Sequence, residues 1–425
     1  MDFDFARWRC VTRRASLEFL ARVTAQNPDK HQVMTRCTDA FPRVVYGCQT
    51  NEYTGARGET IMGQVDRCTP EDVPAVADLH AKRFFGSETA SSDGLRNYYR
   101  TLFFDNPWYD DQLPPLVYRT NGRVTGFLGV VPRRMQLGQQ TLRLVILHRL
   151  LVAPDVDSPM AAFQLVREAL AAPQDLMIAD GANDKGRKIL ERSGASVSPI
   201  YSLKWLRPLR PAAFALNMLG KRRPSLGLIA RTARPFGSLA DAVACRLPAS
   251  PFALAAPETE GRALDIDTLL AGLDEFSRGH TLRPQYDRSS LHWLLDVLKD
   301  NHHRGDFQSI GIFDADHRFI GLALYYLDAH NIAEVMLLAS RDSTRDAVLQ
   351  HLMYHAWRSG AVGLMGRFEP KFLQAFSNQD CLMKAGDWAF LHARDREIIH
   401  IVNQGEAFIS TLEGELWMRS PMDRL

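Results

Sequence analysis

Residues 115–154 read PLVYRTNGRVTGFLGVVPRRMQLGQQTLRLVILHRLLVAP and contain three apolar, strand-like runs separated by two turns. Asn121-Gly122 favours a tight hairpin, because both residue types tolerate a positive φ angle. The apolar runs on either side of this dipeptide are typical of strands that bury at least one face. The stretch therefore predicts an antiparallel meander of three strands.

Helical patterns flank this meander. Thr69, Pro70 and the two acids that follow them indicate a helix start, and a second helix is predicted over residues 92–103. The elements after the meander are predicted in the order helix, strand, helix, strand, at residues 159–171, 175–179, 183–193 and 198–205. We expect the last of these strands to close the sheet of this first unit.

The same order of elements recurs in the second half of the chain. Residues 309–340 read SIGIFDADHRFIGLALYYLDAHNIAEVMLLAS and again indicate a three-stranded meander. Helices are predicted before it at residues 266–276 and 289–299. The elements after it are a helix, a strand, a helix and two strands, at residues 344–358, 361–366, 370–378, 388–392 and 398–402. The predicted fold class is α/β (α+β), with tandem units that each have a mixed, mostly antiparallel sheet flanked by helices.

The 425 residues divide into four expected regions. Residues 1–62 form a poorly ordered arm or precede a true start at Met62, and both interpretations stay open. Two folded units cover residues 63–205 and 263–418. Residues 206–262 are a Pro-punctuated, basic helical linker. In one interpretation this linker only connects the two units and its arginines face solvent. In the other, residues 206–250 contact an anionic membrane surface.

Composition excludes several classes of protein. The formal net charge is +2, so no whole-chain basic excess is present to neutralise phosphates, which argues against nucleic-acid binding. No run of 18 apolar residues and no signal peptide is found, and we expect a cytoplasmic protein. The six cysteines form no C-x-x-C pair or Cys/His cluster, so no metal site is expected.

A known helix motif lies in the first unit. Residues 183–195 read NDKGRKILERSGA, and Asn183, Glu191 and Gly194 match the pattern N-x-x-A-x-x-x-Y-E-K-x-G-F, with Leu190 at its tyrosine. On these residues and the element order, the chain resembles the GNAT superfamily of acyl-CoA N-acyltransferases. It is similar to the bacterial tandem type that is often assigned to envelope or polysaccharide modification.

The resemblance implies that acetyl-CoA or another acyl-CoA is the co-substrate. In this family a glycine-rich loop before the central helix holds the pyrophosphate. The first unit has Asp157, Met160 and Ala162 at the matching positions, and an acid there repels phosphate. The second unit has hydroxyls and arginines, so we favour it as the phosphate site. The predicted cofactor-binding residues are Ser340, Arg341, Ser343, Thr344 and Arg345, together with Asn183 of the family helix. Plain helix capping is the alternative for Ser343 and Thr344.

The resemblance also implies a general base on the strand before this loop. Glu334 occupies that strand in the second unit and His148 occupies the similar strand in the first. A solvent-facing Glu334 and a core His148 are the alternatives. Trp108 and Tyr109 follow Asn106-Pro107 where the family binds its acceptor, and we expect both to be surface residues that contact substrate.

Three functions remain open at this point. The first is transfer of an acyl group from acyl-CoA to an amino group, such as that of an amino sugar, by direct attack on the thioester. The second is a non-catalytic binding or scaffold protein, which the missing glycines and the missing tyrosine favour. The third is a Fem-like transferase that uses aminoacyl-tRNA, against which the near-neutral charge counts.

Overall fold

The computed structural model describes residues 53–54, 60–61, 63–86, 92–154, 159–222, 241–242, 250 and 252–420. Residues 1–64 and 120–123 cluster as one compact unit, and residues 65–119 with 124–425 form another. In the smaller unit, Tyr53 pairs with Ile61 in a two-stranded antiparallel ribbon. The expectations for residues 1–62 otherwise lie outside the described residues.

The strands are numbered in chain order. They are β1 (Tyr53–Thr54), β2 (Thr60–Ile61), β3 (Gly63–Arg67), β4 (Leu116–Thr120), β5 (Arg123–Leu137), β6 (Gln140–Val152), β7 (Leu176–Ala182), β8 (Ser196–Val197), β9 (Leu203–Pro208), β10 (Glu260–Ala263), β11 (Leu282–Pro284), β12 (Asp306–Phe313), β13 (Phe319–Leu327), β14 (Ile332–Ser340), β15 (Gly363–Arg367), β16 (Leu382–Ala385) and β17 (Trp388–Ala393).

The helices are α1 (Val73–Phe85), α2 (Asp93–Phe103), α3 (Pro159–Ala171), α4 (Asp184–Arg192), α5 (Pro211–Arg222), α6 (Ile266–Ser277), α7 (Arg288–Asp300), α8 (Arg345–Arg358), α9 (Leu373–Asn378) and α10 (Arg396–Asn403). No described helix combines the length and the apolar character needed to cross a membrane.

These strands form two large mixed sheets flanked by helices. Within the described residues, one sheet has the order β3-β4-β5-β6-β7-β17-β8, with β11 added beside β5, and the other has the order β10-β12-β13-β14-β15-β9-β16. Both predicted meanders are present as β4-β5-β6 and β12-β13-β14, and Asn121 has the positive φ of 51° that its hairpin requires. The predicted fold class is confirmed.

The two sheets exchange one strand each. The expectation that residues 198–205 close the first sheet is wrong, because the strand there is β9, which pairs with β15 and β16 of the second sheet. In return, β17 from the second half of the chain pairs with β7 and β8 of the first sheet. Each sheet is therefore completed by a strand from the other half of the sequence.

The strand predicted at residues 398–402 is also wrong, because these residues belong to the helix α10. Asp395 caps this helix, since its side chain accepts a hydrogen bond of 2.9 Å from the amide nitrogen of Glu397. Ile398 and Val402 lie four residues apart and are both buried, as one face of a helix requires. The apolar run of residues 398–402 is too short for the sequence to distinguish the period of a helix from that of a strand.

One continuous core contains residues of both halves. On β6, Leu142, Leu144 and Ile146 contribute to this core together with apolar side chains of α1, α2, α6 and α7. The alternate residues Val145 and Leu147 join a second cluster beneath α3 and α4 on the opposite face. Because successive side chains of a strand point to opposite faces, His148 lies on the same face as Leu144 and Ile146, toward the shared core.

The linker contributes some of its basic residues to the folded unit. Arg210 donates hydrogen bonds to the carbonyl oxygens of Ala361 and Trp357, and Arg207 is buried. The Asp241 carboxylate accepts the first free amides of α5. The arginines between residues 223 and 250 lie outside the described residues, so membrane contact through residues 206–250 stays a prediction.

Candidate functional site

A cleft opens where β6 and β7 stop pairing. The two strands run parallel and pair only over residues 144–146 and 176–178. Beyond these residues, the following parts of both strands line a cleft of about 1320 Å³ with α3 and α4. A cleft at the carboxyl ends of parallel strands is a common ligand site in mixed sheets.

A β-bulge lies in the wall of this cleft. His148 pairs with Gly129, whereas Leu151 pairs with Phe127, so β6 carries one extra residue at this point. Arg149 takes up the distortion with a φ of 65°, which is uncommon outside glycine. Such a bulge interrupts the hydrogen-bond ladder and redirects neighbouring groups. Residues 147–151 all line the cleft as a result.

His148 is held between Tyr98 and Glu415. Its Nε2 lies 2.7 Å from the Tyr98 hydroxyl oxygen, and its Nδ1 lies 3.1 Å from Glu415 Oε2. The Tyr98 hydroxyl donates to the carbonyl oxygen of Met418 at 2.6 Å. Because that hydrogen is used, the Tyr98 oxygen accepts from His148 Nε2–H. Only the Nδ1 side of the ring then remains to exchange a proton with Glu415.

One proton must lie between His148 and Glu415 for their contact to be a hydrogen bond. Burial raises the pKa of the Glu415 carboxyl, although Arg149, the Gly181 amide and Arg419 partly stabilise its charged form. If both groups were deprotonated, a nitrogen lone pair would face a carboxylate oxygen at 3.1 Å. The resting pair therefore holds one shared proton, and it can act as a general base only after that proton has been released.

Basic side chains dominate the charge of the cleft. Its lining includes Glu415 as the single acid among the described residues, and its cations are Arg83, Arg149, Lys185, Lys188, Arg192 and Arg419. Three of these cations share one face of α4, because they are spaced three and four residues apart. Within the described chain, none of these three makes an ion pair with a carboxylate. The cleft can therefore attract a multiply charged anion.

The floor of the cleft is aliphatic. It is formed by residues of β6, β7, α3 and α4 that are mostly buried, among them Leu147, Ala162, Val166, Ala179 and Leu190. Asn183 also lines the cleft, but its side chain is used as the cap of α4 and accepts from the amides of Lys185 and Gly186. An apolar floor with a basic rim suits a ligand that is hydrophobic at one end and anionic at the other.

The second sheet has a matching but filled opening. β14 and β15 pair in parallel over residues 332–335 and 363–366, and the space beyond them is only about 20 Å³. Residues 409–411 pack against the ends of these strands and line this space, and the Thr411 hydroxyl donates to the carbonyl oxygen of Val335 at 3.5 Å. We call residues 407–419 the tail.

The same tail continues into the first cleft, where it supplies Glu415. The Glu415 amide donates to Asp180 Oδ1 at 2.6 Å, and the fully buried Asp180 side chain pairs with Arg367 of β15. A Cβ atom on Gly181 would overlap the Glu415 carboxylate, so a side chain there would displace that carboxylate. One segment therefore fills one cleft and completes the other.

Glu334 lies in the second unit beside an arginine. Its Oε2 accepts a hydrogen bond of 2.7 Å from Arg304, whose guanidinium also donates to the carbonyl oxygen of Leu416. Burial alone would raise the pKa of Glu334, but the charge and hydrogen bond of Arg304, together with the charges of Arg419 and Lys204, outweigh burial and lower the pKa. A carboxylate held in this way is a weak proton acceptor at neutral pH.

The predicted phosphate residues of the second unit are largely engaged within the protein. Arg341 pairs with Glu275 at 2.8 Å and Arg345 pairs with Asp342 at 2.5 Å. Ser340 is buried, and Thr344 donates to the carbonyl oxygen of Ile320. Ser343 is exposed at the turn before α8. None of the five lines the small cavity between β14 and β15.

Trp108 and Tyr109 line a separate cavity of about 440 Å³. The expectation that Trp108 is a surface residue is wrong, because its ring packs under Arg133 and against Tyr286 and Trp293. Tyr109 is exposed as expected. Their role in substrate binding stays a prediction.

The structure thus brings two of the predicted residues, His148 and Asn183, to one cleft and leaves the others elsewhere. The spacing of Lys185, Lys188 and Arg192 was visible in the sequence and could have indicated a basic helix face. Glu415 had no local signal, because it reaches His148 across 267 residues. No group of three His, Cys, Asp or Glu side chains that could hold a metal occurs among the described residues.

Comparison with known proteins identifies the fold. No protein-family model and no curated protein matches the chain. A conserved protein of Enterococcus faecalis V583, described as a probable N-acyltransferase, superposes with a TM-score of 0.52 at 10% identity, over 79% of this chain and 73% of that one. A GCN5-related N-acetyltransferase of Anabaena variabilis gives 0.51 at 10% identity, over 78% and 73%. The chain has the fold of GCN5-related N-acetyltransferases, the GNAT fold, in a tandem arrangement.

Proposed function

We propose that this protein is an acyl-CoA-dependent N-acyltransferase whose active site is the cleft between β6 and β7. The observation that carries the proposal is the open cleft with a basic rim, an aliphatic floor and the His148–Glu415 pair in its wall. The two structural neighbours described as acyltransferases favour the same chemistry.

The cleft offers each part of an acyl-CoA a suitable surface. Lys185, Lys188 and Arg192 present three cations on α4 to the phosphates, and charge-assisted contacts of this kind are the stronger hydrogen bonds. The aliphatic residues behind them can cover the pantetheine arm and the acyl chain. The volume of about 1320 Å³ exceeds what a small metabolite fills.

In the form that has released its shared proton to solvent, the His148–Glu415 pair would accept the proton of the attacking amine. The amine nitrogen forms a bond to the thioester carbon, its proton passes to the pair directly or through one water, and the bond from carbon to sulfur breaks. A backbone amide of β6 beside the bulge would polarise the thioester carbonyl and stabilise the developing oxyanion. Leu190 replaces the family's tyrosine and cannot donate, so the thiolate must leave as an anion beside the basic rim or be protonated by water.

Release of free CoA thiol in the presence of candidate amines tests the proposal. Amino sugars are the first acceptor class to try, and peptide N-termini are the second. We expect thiol release that depends on both substrates and falls sharply in the variant His148→Ala. Thermal stabilisation by acyl-CoA in Arg341→Glu, together with its loss in Lys188→Glu, would support the first cleft. The opposite pattern would place the site in the second unit.

A non-catalytic binding protein is the second candidate, and Leu190 is the observation that favours it. Under that function, acyl-CoA would stabilise the chain with no thiol release from any amine. Proton transfer by His148 and Glu415 would then have no kinetic consequence. Thiol release above the uncatalysed rate would exclude this candidate.

A further inference from the structure

The backbone on both sides of the Glu415 side chain is held by hydrogen bonds to other parts of the molecule. The Glu415 amide donates to Asp180 Oδ1 at 2.6 Å. A single 3₁₀ turn, Leu416–Met418, follows directly. A helix this short cannot pair its own carbonyl oxygens, and the three of this turn each accept a hydrogen bond from a side chain instead. The position of Glu415 therefore depends on the side chains that bind this turn.

Arg304 makes the shortest of these three bonds, and it belongs to the second unit. Its Nη1 donates to the carbonyl oxygen of Leu416 at 2.5 Å, and its Nη2 donates to Glu334 Oε2 on β14 at 2.7 Å. The guanidinium also lies over the ring of Tyr326, with its central carbon 5.1 Å from the ring centre. Arg304 is buried, and charge-assisted hydrogen bonds to a planar fork fix geometry well. One rigid group thus joins β14 to the residue that follows Glu415.

Arg304 can influence the cleft between β6 and β7 only through the tail. Glu415 and Leu416 line this cleft, whereas Arg304 is not part of its lining. The contact of 3.1 Å between Glu415 Oε2 and His148 Nδ1 is near the upper end of good hydrogen-bond distances, so a small shift of the tail would break it. A misplacement of about 1 Å in a catalytic group can lower a rate by about 10²-fold.

We propose that Arg304 is a positioning residue, which holds the Leu416 carbonyl oxygen so that the Glu415 carboxylate stays in contact with His148. Glu334 orients Arg304 by accepting from its second nitrogen. The second unit, whose own opening holds only about 20 Å³ of space, thereby supports the site of the first unit. This inference rests on the function proposed for the cleft, but the contact between Glu415 and His148 can be measured without catalysis.

Proton NMR of the full chain tests this contact directly. A proton in a buried hydrogen bond between an imidazole and a carboxylate exchanges slowly with water and gives a separate downfield signal, which His148→Ala identifies by its loss. We expect the double variant Arg304→Met with Glu334→Gln to lose this signal, and the second substitution avoids leaving a carboxylate without its cation. Thr411→Val removes a different hydrogen bond between the tail and the second sheet, and this matched control should keep the signal. Absence of the signal in the parent, or its persistence in the folded double variant, would overturn the proposal.

Kinetics separate positioning from a general loss of stability. The double variant should lower kcat by about 10–100-fold and leave the dissociation constant of acyl-CoA nearly unchanged, because Arg304 does not line the cleft. Arg304→Lys keeps the charge but not the fork, and its kcat should be intermediate. Melting curves identify the folded variants. A loss of kcat in Thr411→Val as large as that in the double variant would show that any loosening of the tail suffices, and would refute the role of Arg304. If the parent releases no thiol with any amine, the proposed function fails, while the NMR comparison still decides whether Arg304 positions Glu415.

Discussion

The cleft between β6 and β7 and the opening between β14 and β15 have the same origin, because each follows a short run of parallel pairing. They differ in content, since the first holds about 1320 Å³ of space and the second about 20 Å³. Residues 409–411 line the second opening, where the Thr411 hydroxyl contacts the carbonyl oxygen of Val335. Strand geometry that recurs in both units therefore does not locate a ligand site, and the segment that packs between the strands decides it.

The charges of the two openings follow the same division. Around the first, Lys185, Lys188 and Arg192 face the cleft with no ion-paired carboxylate among the described residues. Around the second, Arg341 and Arg345 are each paired with an acid. The arginines in the sequence favoured the second unit as the phosphate site. The ion pairs that these arginines make in the structure favour the first unit instead.

The largest expected effect comes from removing the proposed proton acceptor. Glu415→Ala or His148→Ala should lower kcat/KM for acyl transfer by about 10²–10⁴-fold, the usual contribution of general acid–base catalysis. Glu334→Gln should change it only a few-fold. Thiol release under limiting substrate measures all three. A greater loss in Glu334→Gln than in Glu415→Ala would reverse the comparison.

Reversing the basic face of α4 should have the next largest effect. Lys185→Glu combined with Lys188→Glu should weaken CoA binding by about 10–100-fold, because each of these two exposed lysines contributes roughly 0.5–1.5 kcal/mol through a solvent-screened contact. Arg341→Glu is the control in the second unit and should leave the dissociation constant nearly unchanged. Calorimetry at two salt concentrations would also show weaker binding at higher salt for the parent only. The idea fails if the double variant binds CoA as tightly as the parent.

Two glycine substitutions separate stability from site geometry. Gly181→Ala places a methyl group against the Glu415 carboxylate, and Gly366→Ala places one 2.9 Å from Trp205 Nε1 in the second sheet. Each should lower the free energy of unfolding by about 1–2 kcal/mol through overpacking. Only Gly181→Ala should also reduce acyl transfer, because it displaces Glu415. Denaturant unfolding and kinetics together test this, and a similar kinetic loss in Gly366→Ala would count against it.

The smallest expected effect is a pH dependence of stability. Because burial raises the pKa of Glu415 in the folded state, its contribution is fully present at acid pH and is lost as pH rises through the folded pKa. The side chain of Glu415→Gln cannot ionise, so this variant does not lose stability in the same way. Its melting temperature should therefore rise relative to that of the parent as pH increases above about 4. Melting curves across that range measure the difference. A constant difference would show that Glu415 titrates at its ordinary value.

Local sequence patterns predicted the elements better than their partners. The meanders over residues 115–154 and 309–340 were predictable because alternation and turn residues act over a few positions. The exchange of β9 and β17 was not, because a strand's own periodicity carries no information about which edge it joins. Residues 398–402 were misread because five apolar-rich residues fit both periods.

The site was only partly predictable for the same reason. His148 and Asn183 lie next to recognisable elements, and the structure places both in the first cleft. Glu415 and Tyr98 reach His148 through tertiary contacts from distant parts of the chain. The low pKa of Glu334 depends on Arg304, which lies on a different element and has no sequence relation to it.

The strand exchange also bears on how the protein could be divided. A break in the backbone between residues 223 and 240 would leave β9 on the amino-terminal piece and β17 on the carboxyl-terminal piece. Each piece would then lack one interior strand of its own sheet and carry the one that the other piece needs. Neither piece is a self-sufficient module, but the two together hold every strand, which makes the chain suited to fragment complementation. A reporter built on this break would regain both sheets only when its halves meet.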